Sequence, residues 1–273
     1  MTMPPVPNRA LKGDYPWWLV ALALLAVGIA VVIATNDLYR QVFLTVVNGV
    51  GVTVFVTLVA FALATLCGLA IALLGLSDSL VLRQIARFYI EVIRGIPMLV
   101  LLFYVAFVGA PAFTALWNAA TAPLVSAGWL EPLAVRDVSL MWRAIIALTI
   151  GYASFIAEIF RAGIQSVDHG QIEAAKALGL SRYRRFRHVV FPQAVRVIFP
   201  PLSNDFVSMV KDSSLVSVLG VSDITQMGKI YASGSFRFFE TYSIVTYIYL
   251  ILTIGLSLAL RRLEKRMRRI DRQ

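Results

Sequence analysis

Apolar residues run through this chain in long blocks, and charged residues mark the gaps between them. Tyr15–Asn36 carries no charge over 22 positions, Gln41–Ser77 none over 37, Gly95–Leu130 none over 36 and Thr241–Leu260 none over 20. A hydrocarbon core of ~30 Å needs about 20 helical residues, so each block holds one membrane span. The second block exceeds one span, and its start, Val42–Gly51, reads as an interfacial helix or as the end of a long span. Trp142–Ile164 is a fifth candidate, with 14 uncharged residues between Arg143 and Glu158. Ala194–Val221 is a sixth, interrupted by Pro200, Pro201, Asn204, Asp205, Lys211 and Asp212. Trp17, Trp18, Trp117, Trp129 and Trp142 fall near the expected span ends, as interfacial anchors do. The pattern predicts an all-α, polytopic integral membrane protein with about six transmembrane helices.

Composition narrows the class. The residues A, V, I, L, M, F, W, Y and C make up 59% of the chain and charged residues 15%, well below the ~25% charge of a soluble domain. A disordered chain is excluded, and a water-soluble enzyme does not fit. The net charge of +10 reads as basic cytoplasmic loops rather than as a nucleic-acid surface. With six spans, 19 Lys and Arg residues fall on one side, from Arg9 and Lys12 to the tail, and 5 on the other, with Arg143 at a boundary. Both termini are therefore expected in the cytoplasm. Arg9 and Lys12 also precede the first block as in a signal peptide, but Trp17–Ala34 exceeds the 7–15 apolar residues of such a segment. It reads as a retained helix. A single cysteine, Cys67, excludes an internal disulfide, and in a helix it reads as a small apolar residue. His169 and His188 have no ligand spacing around them, so no metal site is expected.

The segment between the fifth and sixth blocks is the most informative. Asp168 with Gln171 three residues on predicts a capping box that opens a short helix. Glu173-Ala174-Ala175-Lys176-Ala177-Leu178 continues it, and Gly179 is placed to end it in a left-handed conformation. Ser181 then caps a second helix, with Tyr183, Phe186 and Val190 at i, i+3 and i+7, and Pro192 marks the return towards the membrane. By pattern alone this is a basic amphipathic segment lying on lipid headgroups.

The residues themselves say more. EAAKALGLSRYRRFRHVVFP fits E-A-A-x3-G-x9-I-x-L-P, with Val189 for Ile and Phe191 for Leu. It is flanked in order by VIRGIPMLVLLFY, ASFIAEIFRAGIQSVDHGQIEAAKALG, PQAVRVIFPPLSNDF and VKDSSLVSVLGVSDIT. Together these resemble the permease subunits of type I ABC importers, in the polar-amino-acid family of the histidine, glutamine and glutamate systems. The resemblance covers about residues 44–265. It implies an ABC importer transmembrane domain over 42–265 with a coupling loop at 165–192. Residues 1–41 then hold a cytoplasmic segment and an extra helix that the five-span members lack, and 266–273 form a basic cytoplasmic tail. It further implies that Glu173, Ala174, Ala175 and Gly179 dock into a groove on a separate ATPase subunit, which carries ATP and Mg. No G-x-x-x-x-G-K-[ST] motif occurs in this chain, the nearest string being Gly228-Lys229. No cofactor or catalytic role is expected of the chain itself. The other implied partners are a second permease subunit, identical or related, a solute-binding protein and an amino-acid substrate, at the bacterial inner membrane with lipid around it and no nucleic acid.

Polar residues inside spans are costly and point to function. Asn204, Asp205, Ser208, Lys211 and Asp212 recur at helical spacing and read as one stripe facing a translocation path. The stripe reads equally as a polar contact with a partner subunit, or as Lys211-Asp212 emerging into water. A second stripe, Gly151, Ser154, Glu158, Arg161 and Gln165, holds a candidate path residue in Glu158, although Glu158 with Arg161 also suits an interfacial ion pair. An ion-coupled secondary transporter of small polar solutes is the competing class. It predicts an inverted repeat with matched broken helices, and the Pro200-Pro201 interruption has no counterpart in the first half. A channel requires a repeated filter motif, which the sequence does not show.

Overall fold

The computed structural model describes residues 17–269. Arg9, Lys12 and Arg272 of the tail, which count towards the charge asymmetry, lie outside the described residues. Within them the chain forms only helices: α1 (Trp17–Thr35), α2 (Asp37–Val46), α3 (Val50–Gly75), α4 (Leu80–Gly95), α5 (Met98–Tyr104), α6 (Ala110–Ser126), α7 (Leu140–Gln165), α8 (His169–Ala177), α9 (Arg182–Arg185), α10 (Phe191–Asp212), α11 (Ile224–Ser235) and α12 (Phe238–Arg269). Among these residues, five segments are long and apolar enough to cross a membrane: Trp17–Thr35, Asp37–Gly75, Met98–Ser126, Leu140–Gln165 and Phe238–Met267. The sixth expected span, α10, has 22 residues but carries Arg196, Asp205, Lys211 and Asp212. It packs against α7, α12 and α3 instead of standing apart.

The centre of the bundle is α7, whose buried residues include Ala144, Ile145, Leu148, Ala153 and Ile156. Its main partner is α3, whose buried positions Thr53, Val56, Thr57, Ala60, Ala64, Gly68 and Ala72 form one face of small side chains. Small residues let helix backbones approach closely where burial of apolar surface gives no advantage over lipid. The large residues of α3, such as Leu58, Leu66 and Leu73, face outward. On the other side, Ile198 of α10 fits against Gly163 of α7. A Cβ at Gly163 would stand 2.2 Å from Ile198 Cγ1, so the contact requires glycine.

Several expectations change in detail. The long second block is divided by a 3₁₀ turn at Val47–Gly49 into amphipathic α2, with Val42 and Val46 fully buried, and the span helix α3. Asn36 ends α1 and caps α2, its Oδ1 accepting from Leu38 N at 3.0 Å. Nearly uniform in its apolarity, α1 has no buried residue and touches mainly α2. Charged α4, ahead of the third block, also packs beside α7. Tyr89 Oη donates to Ile150 O at 2.7 Å, and Met98 of α5 lies against Gly151. The charges of α4 hid this packing, because one face of an amphipathic helix is enough to pack.

Pro200 and Pro201 do not interrupt the sixth stretch, because α10 continues through both. Neighbouring helices hold it in place, and a proline inside a packed span is tolerated for that reason. The chain does not break at Pro192 either. It is helical from α9 through a π turn at Phe186–Val190 into α10, with Pro192 in the first turn of α10. A second π turn, Val105–Gly109, precedes Pro111. In each, the N–H of the residue before proline reaches back five residues, Phe191 to Phe186 O and Ala110 to Val105 O. The wider turn relieves the clash of the proline ring with the carbonyl four residues back.

Candidate functional site

Four helices, α4, α5, α7 and α10, meet around a cavity of about 270 Å³ near the middle of α7. Its walls are apolar on the α4–α5 side, with Ile93, Ile96, Met98 and Leu101, and polar on the α10 side, with Asp205, Ser208 and Asp212. From α7 come Gly151, Tyr152 and Phe155. The α4–α5 wall is where the helix breaks: Ile96 is extended ahead of Pro97, as the residue before proline must be. Tyr152 Oη donates to Asp212 Oδ2 at 2.8 Å, which holds that carboxylate against the wall. Among the described residues, Asp205 Oδ2 is buried with no hydrogen-bond partner. A buried carboxylate oxygen without a donor is costly. At the rim, the Arg94 guanidinium lies over the Phe155 ring, 5.2 Å from its centroid.

The expected α10 stripe therefore divides. Asp205, Ser208 and Asp212 share the cavity. Asn204 lies instead on a groove between α10 and α12, with Ser203, Ser257, Arg261 and Glu264. Lys211 is exposed. The spacing i, i+1, i+4, i+7, i+8 covers more than 100° of helix, enough for one side to face α7 and the other α12. Glu158 is not at the cavity. Its Oε2 accepts from Arg161 Nη2 at 2.6 Å, and Arg161 also donates to Gln165 Oε1 at 2.9 Å. Tyr152, Phe155, Arg94 and the Ile96–Met98 break were missed by sequence reasoning. Tyr152 adjoins Gly151 of the second stripe, and Arg94 opens the string R-G-I-P, so both lay beside features already marked.

The loop after α7 is built as follows. Asp168 Oδ1 accepts from Gln171 N at 3.2 Å, but the capping box is only half formed. The Gln171 side chain accepts from Gln193 Nε2 of α10 at 2.6 Å instead. Gly179 ends α8 at φ +72, with Gly179 N donating to Lys176 O at 2.9 Å and Leu180 N to Ala175 O at 3.1 Å. This is a Schellman closure. Ala175 is buried, while Glu173, Ala174, Leu178, Tyr183 and Phe186 are exposed. Glu173 Oε1 lies 3.4 Å from His169 Nδ1 on the outer surface. The loop thus presents an acidic residue, a small residue and three side chains with exposed apolar surface.

A separate polar knot ties α3, α11 and α12 together. Buried Asp223 caps α11, accepting from Gln226 N at 2.8 Å and from Tyr249 Oη at 3.1 Å. Burial pushes its carboxyl above the usual range, and these hydrogen bonds oppose the shift. Thr53 Oγ1 accepts from Ile224 N at 3.3 Å. The knot lies apart from the cavity and braces the bundle.

A helical membrane bundle with a partly polar cavity beside its central helix and an exposed helical loop is a solute permease by architecture. Solved structures share it. One described as an amino acid ABC transporter with histidines superposes with a TM-score of 0.68 at 35% identity, over 86% of this chain and 98% of that one. The MetNI methionine ABC transporter in an inward-facing form gives 0.61 at 21% identity, over 81% and 95%, which shows the fold alone. The chain belongs to the family of binding-protein-dependent transport system inner membrane components, whose model matches residues 64–269. The probable amino-acid permease protein YxeN of Bacillus subtilis is 34% identical over 225 residues, 82% of this chain and 92% of the relative. The glutamine transport system permease protein GlnP of Escherichia coli K12 is 33% identical over 222 residues, 81% and 92%.

Proposed function

We propose that this chain forms the translocation path of an ATP-driven amino-acid importer and that Asp205 receives the substrate's ammonium group. The observation that carries this reading is the buried, unpartnered Asp205 Oδ2 in a cavity of about 270 Å³. An ammonium supplies the donor that this oxygen lacks, and the Ile93–Leu101 wall suits an apolar portion of the solute. The names of the relatives support an amino acid as cargo. Glu173, Ala174, Ala175 and Gly179 are assigned to docking an ATPase subunit that binds ATP and Mg, supported by the exposure of Glu173, Ala174 and Gly179, with Ala175 buried beneath them, and by the family. The 19-to-5 division of Lys and Arg supports cytoplasmic termini. Asn204 and Lys211 are exposed on α10 and need water or protein beside them rather than lipid, which supports a second permease subunit at that face.

The test is uptake in vesicles holding the permease, its ATPase and its binding protein. Asp205→Asn keeps the shape and removes the charge. A charge-assisted hydrogen bond contributes ~1.5–3 kcal/mol, so uptake efficiency should fall about 10- to 100-fold while assembly is unchanged. Wild-type uptake kinetics and selectivity in this variant refute the assignment.

A further inference from the structure

The last helix is too long for the membrane alone. With 32 residues at ~1.5 Å each it extends about 48 Å, against a hydrocarbon core of ~30 Å. Its uncharged run ends at Leu260, so the turns from Arg261 onward lie in or beyond the headgroup layer. There the helix presents two distinct sides. Ser257, Leu260, Arg261 and Glu264 face the groove shared with α10. Ala259, Arg262, Leu263, Lys265 and Arg266 lie on a different surface, which holds no residue of α10. All five are exposed. Among the described residues, no ion pair reaches Arg262, Lys265 or Arg266.

We infer that this outer side of α12 binds the headgroup of an anionic phospholipid. The chemistry matches in two parts. Three cations stand together where a lipid phosphate sits, immediately past the end of an apolar helix segment. Beside them Ala259, within the uncharged run, and Leu263 one turn on, 47% exposed, offer an apolar strip that reaches from the upper acyl chain into the headgroup layer. An acidic protein surface would satisfy the cations but not this strip. Clustered Lys and Arg at the cytoplasmic end of a span attract anionic lipid at roughly fivefold in affinity per charge, so three charges give a preference on the order of a hundredfold over a zwitterionic lipid.

The full-length chain, purified in detergent, is titrated with phosphatidylglycerol, phosphatidylcholine and inorganic phosphate, and bound lipid is counted by native mass spectrometry. The wild type should bind phosphatidylglycerol in a salt-sensitive way. The triple variant R262Q/K265Q/R266Q should lose about a hundredfold in that affinity, with phosphatidylcholine unchanged. R262K/R266K keeps the charge and should bind as the wild type, which separates loss of charge from misfolding. Equal phosphatidylglycerol affinity in wild type and triple variant overturns the inference. So does competition by inorganic phosphate at equal concentration, which would identify a free-anion site. Loss of the ATPase subunit from the triple variant with lipid binding intact would assign the surface to a protein partner and overturns it as well.

Discussion

The π turn at Val105–Gly109 and the one at Phe186–Val190 share a local cause, a proline two residues past the turn, but differ in surroundings. In the first, the proline without an N–H is Pro111, and the carbonyl five residues back, at Ala106, accepts from Arg143 Nη1 at 3.1 Å. Arg143 is 8% exposed and donates in addition to Val138 O at 2.8 Å and to Val135 O. One cation therefore serves the widened turn and pins the loop before α7. At the second turn, Phe186, Arg187 and His188 are exposed, so water can serve the freed carbonyl. Proline widens the helix in both places, and the tertiary setting decides whether that turn is fixed or yielding. The fixed turn adjoins the start of α7, and the yielding one adjoins the loop that the resemblance assigns to the ATPase.

The sharpest way to break this contrast is Arg143→Ala. It leaves three carbonyls without their charged donor, and the unfolding free energy in detergent should fall by about 3 kcal/mol. Unchanged stability would mean that the first turn is no better held than the second. Gly179→Ala comes next. The added Cβ meets no atom, so the cost is the left-handed φ of +72 alone, about 1–2 kcal/mol. Bundle stability should hold, and co-purification with the ATPase should weaken about five- to thirtyfold. Equal loss of both would show that loop and bundle do not respond separately. The smallest effect is expected for Gln193→Ala, which removes the 2.6 Å bond to Gln171. At ~0.5–1.5 kcal/mol, amide exchange in α8 should quicken several-fold while α6 and α7 keep their protection. No change in α8 would show that other contacts hold the loop.

The sequence made some of this plain and concealed the rest for physical reasons. Charge-free blocks locate α1, α3, the α5–α6 segment and α12, because the bilayer demands long apolar runs. The Gly179 turn and the Asp168 and Ser181 caps were legible because they depend on neighbours a few residues away. The packing of α4 on α7 was not, since Arg87, Glu91 and Arg94 are exposed and give the helix a polar reading. The split of Asn204 from Asp205 was also hidden. Helical spacing gives a face but not which neighbour stands before it, and here α7 and α12 divide the stripe. Tyr152 reads in sequence as one more aromatic in an apolar run, and only the approach of Asp212 from 60 residues away gives it a role.

The seat of Ile198 against Gly163 has a mechanical consequence. A side chain lodged in a notch resists sliding along the helix axis but allows tilting about the contact. Ile198 lies seven residues from Phe191, where the loop joins α10, and seven from Asp205 at the cavity, about 10 Å each way. Any tilt of α10 about this fulcrum carries the two ends in opposite directions through equal arcs, so a push at the loop end reaches the cavity carboxylate undiminished and reversed.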